Sequence, residues 1–331
     1  MFFSIIVPLY NRPQEIDEML DSLTRQSYTN FEVIVIEDGS NIPAKSVVEG
    51  YKDRLDICYC RKDNQGQGFA RNDGFARAKG DWFIVFDSDI IVPECYLNRV
   101  LQGISAQNLD AYGGPDAAHE SFTPIQKAIS YAMTSPFTTG GIRGNKSHVG
   151  AFHPRSFNMG ISREVYEKTG GFKLSRRSED IEFSIRMIES GFRVGLIADA
   201  FVYHKRRATF VQFFYQTQSF GRGRIDIYQL FPNELKLVHT LPAVFVMGLA
   251  ALFFCVAINV MFKGHNNIFS FLSILGCTSV VIYTLLLFLH SLTKTRSLRI
   301  AGLSVIAAYI QLCAYGIGFI SHYVEKVVLK K

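Results

Sequence analysis

Two carboxylates separated by one residue follow an apolar run in the 331-residue chain. The run DWFIVFDSD (Asp81 to Asp89) is rich in strand-forming residues and ends at Asp87 and Asp89. Charges at the end of a buried strand are costly unless a cation lies beside them. Side chains two residues apart leave a strand on one side, so both can bind a hard ion such as Mg²⁺ or Mn²⁺, which often binds phosphates as well. The pattern predicts a metal-diphosphate site, and the alternative is an Asp-Ser-Asp turn that caps a helix starting near Pro93.

The segments before this site alternate between strand and helix patterns. SIIVPL (Ser4 to Leu9) and FEVIVI (Phe31 to Ile36) are typical of buried strands. Apolar residues recur between them at helical spacing, at Ile16, Met19, Leu20 and Leu23. The second strand runs into EDGS (Glu37 to Ser40), at the end of a strand where open α/β sheets bind ligands. The alternation predicts an α/β fold with a mostly parallel central sheet.

The segment before Asp81 separates this fold from other nucleotide-binding folds. Residues 64–79 are expected to form a helix that places Phe69 inward and Arg71 elsewhere. Gly66 and Gly68 match the first half of GxGxxG, but position 71 is Arg and the run does not follow the first strand, which argues against a dinucleotide site. The sequence contains no GxxxxGK[ST], so a P-loop is excluded.

Taken in order, these motifs resemble glycosyltransferase family 2, whose members have a GT-A type nucleotide-sugar-binding fold. The resemblance spans about residues 3 to 230 and rests on SIIVPLYNR, EDGS and NQGQGFARNDGFARAKGDWFIVFDSD. It implies that Pro8, Tyr10 and Arg12 line the nucleotide pocket and that Asp38 hydrogen-bonds the base.

The same resemblance implies a donor site that depends on a metal ion. Arg71 belongs to the segment that closes over the nucleotide, Asp87 contacts the ribose or the metal, and Asp89 is the principal ligand of Mg²⁺ or Mn²⁺. His204 ends the apolar run AFVYH, and some family members use a histidine here as a further metal ligand. We therefore expect His204 to be a third ligand or a diphosphate contact, with a structural role as the alternative.

The second half of this region is similar to the family's acceptor side. FNMGISREVYEKTGGF (Phe157 to Phe172) resembles the floor of the acceptor pocket, and SEDIEFSIRMIESGFRV (Ser178 to Val194) resembles its acidic helix. A sugar hydroxyl that attacks an anomeric carbon must lose its proton, so Asp180 is the candidate general base. The alternative is that Glu179 and Asp180 only stabilise the first turn of a helix. The irregular stretch 118–154 is expected to hold an acceptor loop.

Beyond residue 235 the chain becomes strongly apolar. Three runs, Leu241 to Phe262, Ile268 to Leu289 and Leu298 to Ile320, are each long enough to cross a bilayer of roughly 30 Å. We therefore expect a catalytic domain at residues 1–230, with a membrane-proximal end at about 205–235, followed by an all-α transmembrane region at 236–331.

The charges around these runs only partly define the topology. No signal peptide is evident at the N-terminus, so the catalytic domain is expected in the cytoplasm, attached to the cell membrane, as in the bacterial inner membrane. Three crossings would then place Lys326, Lys330 and Lys331 outside, against the positive-inside rule. Either one run is re-entrant or interfacial, or the short tail is tolerated, and both alternatives stay open.

The composition of the chain indicates which binding partners to expect. The net charge is +6, but the basic residues do not form one amphipathic stripe, so lipid headgroups are expected as partners and nucleic acid is not. The six cysteines include no CxxC pair, and disulfides are not expected in a reducing cytoplasm. The only tryptophan is Trp82, so the QxxRW signature of processive synthases is absent, which favours the addition of one sugar or a few.

These observations predict an inverting, metal-dependent glycosyltransferase. Its donor is a nucleotide-diphosphate sugar, and its acceptor is a hydroxyl of a lipid-linked or saccharide acceptor in the synthesis of cell-surface polysaccharide or glycoconjugate. One alternative is a polyprenyl-phosphate sugar synthase. The other, from a different class, is a non-catalytic membrane scaffold that retains the fold.

Overall fold

The structure, a computed structural model, describes residues 1–117, 119, 122–139, 152–262 and 267–330. It comprises two compact units, the first formed by residues 1–120 and 144–205 and the second by residues 121–143 and 206–331. Much of the expected acceptor loop at 118–154 lies outside the described residues.

Ten β-strands and twelve α-helices are found among the described residues. The strands are β1 (Phe3–Leu9), β2 (Phe31–Asp38), β3 (Ile57–Lys62), β4 (Trp82–Phe86), β5 (Ile90–Ile91), β6 (Ala111–Gly113), β7 (Asp116–Ala117), β8 (Asn158–Ser162), β9 (Val194–Leu196) and β10 (Val202–His204). The helices are α1 (Pro13–Leu23), α2 (Lys45–Glu49), α3 (Gln67–Phe75), α4 (Tyr96–Gln107), α5 (Pro124–Thr134), α6 (Pro136–Thr139), α7 (Arg163–Thr169), α8 (Glu179–Glu189), α9 (Phe210–Leu230), α10 (Leu241–Met261), α11 (Asn267–Thr295) and α12 (Leu298–Tyr323).

A seven-stranded sheet forms the centre of the first unit, in the order β3-β2-β1-β4-β8-β6-β9. The pairs β3-β2, β2-β1, β1-β4 and β6-β9 are parallel, and only β8 runs antiparallel to its two neighbours. The expected α/β fold with a mostly parallel central sheet is therefore confirmed.

Both faces of this sheet are covered, which explains why its central strands are apolar throughout. Ile5 belongs to a buried cluster with residues of α1 and α4, whereas its neighbour Ile6 belongs to a second cluster with residues of α3 and α8. Successive side chains of a strand point to opposite faces, so a strand buried on both sides has no polar alternation.

A small second sheet lies in the same unit, in the order β5-β10-β7. Its strands come from distant parts of the sequence, and β10 pairs antiparallel with β5 so that His204 lies opposite Ile90. This pairing brings the end of β10 to the residue that follows Asp89.

The second unit is helical. Among the described residues, three helical segments are long and apolar enough to cross a membrane, at Leu241–Met261, Ile268–Thr295 and Leu298–Val328, in agreement with the three predicted runs. They differ in how much protein covers them: in the apolar 18-residue stretch of each helix, 6% of the first and 11% of the second is buried inside the protein, against 44% of the third. The first two helices therefore present an apolar surface that protein does not cover, whereas the third is packed among other helices.

Candidate functional site

Three adjacent parallel strands end at one edge of the large sheet. β1 leads into the loop that carries Arg12, β2 ends at Asp38, and β4 leads directly into Asp87. Because the strands are in register, with Ile6 opposite both Ile34 and Val85, their carboxyl ends lie side by side. The sheet thus gathers polar residues that are up to 75 positions apart in the sequence.

Asp87, Asp89 and His204 form a compact group at this edge. One candidate ligand atom from each of the three residues lies within 4.8 Å of the other two, the spacing that a single metal ion requires. His204 Nε2 lies 3.2 Å from Asp89 Oδ1, and its ring stacks on Phe157 with 4.8 Å between the ring centroids. The structure thus brings together the three residues that the sequence predicts as metal ligands.

The hydrogen bonding of this group fits a cation. Asp89 Oδ1 and His204 Nδ1 are buried, and apart from the contact of 3.2 Å between Asp89 Oδ1 and His204 Nε2 neither has a hydrogen-bond partner among the described residues. Buried polar atoms without partners are costly, and a divalent ion satisfies such atoms. The two carboxylates are oxygen donors that suit Mg²⁺ or Mn²⁺, and the imidazole is a donor for transition metals, so the residues present fit Mn²⁺ better than Mg²⁺.

Arg12 supplies a positive charge directly beside this group. Its guanidinium forms an ion pair with Asp89 Oδ2. Burial acts to raise the pKa of Asp89, but the neighbouring His204 and Arg12 outweigh it and hold this pKa below its usual range. Asp89 is therefore a carboxylate over the whole physiological pH range and is ready to bind a cation.

Arg71 connects the metal group to helix α8. Its side chain is only 1% exposed and donates to Asp87 Oδ1 over 2.8 Å and to Glu179 Oε1 over 2.9 Å. Gln67 donates to the same Glu179 oxygen over 2.8 Å. The prediction that Phe69 points inward is wrong: Phe69 is 37% exposed, and the side chain of Arg71 lies on the buried face of α3 instead.

Asp38 is buried and bound by the backbone of the loop before α3. Its two carboxylate oxygens accept hydrogen bonds from the N–H groups of Gln65 and Gly66, each over 2.8 Å. Gly66 has a φ of +97°, a conformation that favours glycine. Asp38 thus anchors this loop, and its hydrogen bond to a nucleotide base stays a prediction.

Two further predicted donor-site residues lie close together in the sequence, one near the end of β1 and one in the loop that follows it. Tyr10 is 48% exposed, and Pro8 is partly buried within β1. Asn11, which the sequence reasoning missed, holds this loop against the next one: its Oδ1 accepts from the N–H groups of Asn41 and Ile42 over 2.8 and 3.0 Å. The sequence YNR predicted a functional loop here, but it did not indicate that its asparagine would bind the backbone of the neighbouring loop.

Asp180 lies in the first turn of α8, and its side chain is 17% exposed. Its Oδ2 accepts from Arg155 Nη1 over 3.5 Å. The sequence did not lead us to predict the role of Arg155 or the buried ion pair between Glu179 and Arg71. For Glu179, the one indication in the sequence was its position directly before the candidate base. The arrangement leaves Asp180 partly accessible while Glu179 faces Arg71.

Comparison with known proteins gives one consistent family. The family model described as glycosyl transferase family 2 matches residues 4–170, half of the chain. An uncharacterized glycosyltransferase of Haemophilus influenzae is 32% identical over 196 residues, which are 56% of this chain and 62% of that protein. The chain thus spans less than two thirds of that relative. The glycosyltransferase AglE of Haloferax volcanii is 24% identical over 253 residues, which are 75% of this chain and 81% of that protein.

A solved structure supports the fold. The mannosyltransferase PcManGT from Pyrobaculum calidifontis, in complex with GDP-Man and Mn²⁺, matches with a TM-score of 0.65 at 17% identity, over 96% of this chain and 86% of that one. The expected GT-A type fold is therefore confirmed. The family match and the relatives agree: the chain belongs to glycosyl transferase family 2.

Proposed function

We propose that this glycosyltransferase transfers a sugar from a nucleoside-diphosphate sugar to a hydroxyl of its acceptor, with inversion and with a divalent ion. The observation that carries the proposal is the group Asp87, Asp89 and His204, in which buried Asp89 Oδ1 contacts only His204 Nε2 and His204 Nδ1 has no hydrogen-bond partner among the described residues. The catalytic domain proposed for this chemistry comprises about residues 1–230.

Asp87, Asp89 and His204 would hold Mg²⁺ or Mn²⁺. When bound, such an ion offsets the negative charge that develops on the leaving nucleoside diphosphate. Arg12 can contribute a further positive charge to the diphosphate, because its side chain is 28% exposed and lies beside this group. Pro8, Tyr10 and Asp38 are proposed to line the nucleotide pocket, with Asp38 at the base.

Asp180 is proposed as the general base. Its carboxylate takes the proton of the attacking hydroxyl, and Arg155 fixes its orientation through the contact at 3.5 Å. Arg71 and Glu179 hold α8 beside the metal group, so the base and the donor are positioned by one buried network. A single displacement assisted by one base inverts the anomeric centre.

The acceptor proposed for this chain is lipid-linked. Helices α10 and α11 expose large apolar side chains along their length, for example Phe253 at 78% and Phe271 at 63%. Such surfaces are stable in a bilayer, where an enzyme meets lipid-linked acceptors directly. A polyprenyl phosphate is itself an anion, so with that acceptor Asp180 would contribute less to the rate.

The test is nucleotide release by the purified protein in detergent, against UDP-, GDP- and dTDP-sugars with Mn²⁺ or Mg²⁺. We expect slow hydrolysis of one donor that EDTA abolishes and that Asp89→Ala abolishes, while Asp21→Ala, a change in the exposed part of α1, leaves it intact. Release that persists in Asp89→Ala would contradict the metal assignment. Absence of both donor hydrolysis and nucleotide binding would instead support the scaffold alternative.

A further inference from the structure

Helices α10 and α11 form an antiparallel hairpin along the whole length of α10. Ser270 Oγ donates to Asn259 Oδ1 over 2.5 Å near the turn, and the rings of Tyr283 and Phe245 lie 6.0 Å apart near the start of α10. With a rise of about 1.5 Å per residue, the 21 residues of α10 span roughly 31 Å, the thickness of a hydrocarbon core. The end of α11 therefore returns to the side from which α10 enters.

Helix α12 begins on that side, because Leu298 follows the end of α11 by three residues. Eleven residues later it is level with the first turns of α10. There, the Tyr309 hydroxyl pairs with Thr284 Oγ1 over 2.7 Å, and the Tyr309 ring lies 5.9 Å from that of Phe245. Up to this point α12 could still be descending into a bilayer alongside the hairpin.

The next contacts show that it does not descend further. A helix that continued beside α10 would advance at the same rise per residue, so Gly316 would lie near residue 252. Instead, a Cβ at Gly316 would overlap the carbonyl oxygen of Pro242 and approach Val246. Over seven residues of α12 the contact thus stays at the first turns of α10 and does not advance along it, so α12 crosses α10 obliquely.

The C-terminal end of α12 lies among residues that precede the first crossing. His322 Nε2 lies 2.7 Å from Asp226 Oδ1 of α9, and Gln229 donates to the carbonyl of Lys326 over 3.4 Å. Phe319 is buried in a cluster with Ile225 and Ala243, against which Leu235 and Val327 also pack. Since Leu235 lies before α10, the end of α12 is on the side from which α10 enters.

We infer that the chain crosses the membrane twice, through α10 and α11, and that α12 is an interfacial helix with both ends on the side where α10 begins. Its lipid-distal faces are covered by α5 and α9, as the cluster of Ile129, Phe213 and Ala307 shows. The tail with Lys326 and Lys330 then shares a side with residues 231–240. With that side in the cytoplasm, as the sequence leads us to expect, these lysines would lie near anionic headgroups and obey the positive-inside rule, which three crossings would violate.

The experiment compares the labelling of single cysteines in sealed membrane vesicles by a membrane-impermeant maleimide. The full chain, with its six cysteines changed to serine, carries Lys330→Cys in the tail, Asn233→Cys before α10, or Lys263→Cys between α10 and α11. We expect Lys330→Cys and Asn233→Cys to react from one face and Lys263→Cys from the other. A tail that labels with Lys263→Cys would establish three crossings and overturn the inference.

A second measurement covers the case in which the cysteine-free chain does not fold. An epitope tag is appended after Lys331 of the unchanged chain, and a second chain carries the same tag between Lys263 and Gly264. Protease is added to sealed and to opened vesicles. In sealed vesicles we expect one tag to be cleaved and the other to be protected, and in opened vesicles we expect both to be cleaved. The same protection of both tags in sealed vesicles would contradict the inference.

Discussion

Arg71 and Glu179 form a buried ion pair, with 2.9 Å between Arg71 Nη1 and Glu179 Oε1 and side-chain exposures of 1% and 5%. The other end of the same guanidinium binds Asp87, which belongs to the candidate metal group. One buried side chain therefore joins the residue that would hold the donor's metal to the helix that carries the candidate base.

The first prediction concerns this pair. Arg71→Met removes the partner of a buried carboxylate, which typically costs about 3–5 kcal/mol. For a unit of this size we expect the melting temperature to fall by roughly 6–20 °C. Differential scanning fluorimetry measures it, and Arg77→Met on the exposed side of the same segment is the control. Equal melting temperatures for the two variants would show that the pair contributes nothing to stability.

A second prediction separates positioning from stability at the same residue. Arg71→Lys keeps the charge, but an ammonium cannot bind two carboxylates as the guanidinium does. We expect the Mn²⁺ concentration for half-maximal donor turnover to rise by about tenfold, as for residues that orient metal ligands. A titration of Mn²⁺ at saturating donor measures this effect. An unchanged half-maximal concentration in a folded variant would contradict the positioning role.

A third prediction concerns His204. If it holds the metal, His204→Gln weakens binding, and the half-maximal Mn²⁺ concentration should rise by more than about tenfold. Binding of Mn²⁺ itself can be followed by electron paramagnetic resonance, independently of turnover. His239→Gln, in the turn before α10, serves as the control for loss of a histidine. Wild-type affinity in His204→Gln would leave His204 with a structural role, stacked on Phe157.

A fourth prediction tests the general base. Asp180→Asn should lower kcat by about 10²–10⁴ with a hydroxyl acceptor and leave the affinity for the nucleotide unchanged, because the proton transfer alone is lost. The matched control is Glu189→Gln at the opposite end of α8. A fully active Asp180→Asn enzyme would exclude the assignment for hydroxyl acceptors, and with a phosphate acceptor a small effect is expected.

A fifth prediction uses two glycines of α12. A Cβ at Gly318 would overlap the backbone carbonyl of Gln218 in α9, whereas a Cβ at Gly302 meets nothing within 4 Å. Gly318→Val should therefore force α9 and α12 apart and lower the melting temperature in detergent, while Gly302→Val changes it little. Both substitutions have the same effect on helix propensity, so the comparison isolates the packing. Similar melting temperatures for the two variants would contradict close contact of the helices.

Much of the architecture could be read from local sequence. The strands at Phe3–Leu9 and Phe31–Asp38 and the carboxylates after β4 were predictable because strand burial on two faces demands an unbroken apolar run, and charges at its end stand out. The three apolar helices were predictable for a similar reason, since the free energy of transfer into hydrocarbon depends mainly on composition and length.

Long-range packing accounts for what local sequence did not reveal. The pairing of β10 with β5 brings His204 to Asp89 across 115 positions, and the burial of Arg71 in place of Phe69 depends on Glu179, which is 108 positions away. The path of α12 follows from its contacts with α9 and α10. Hydropathy cannot predict these contacts, because it depends on the composition of a helix and not on the residues that pack against it.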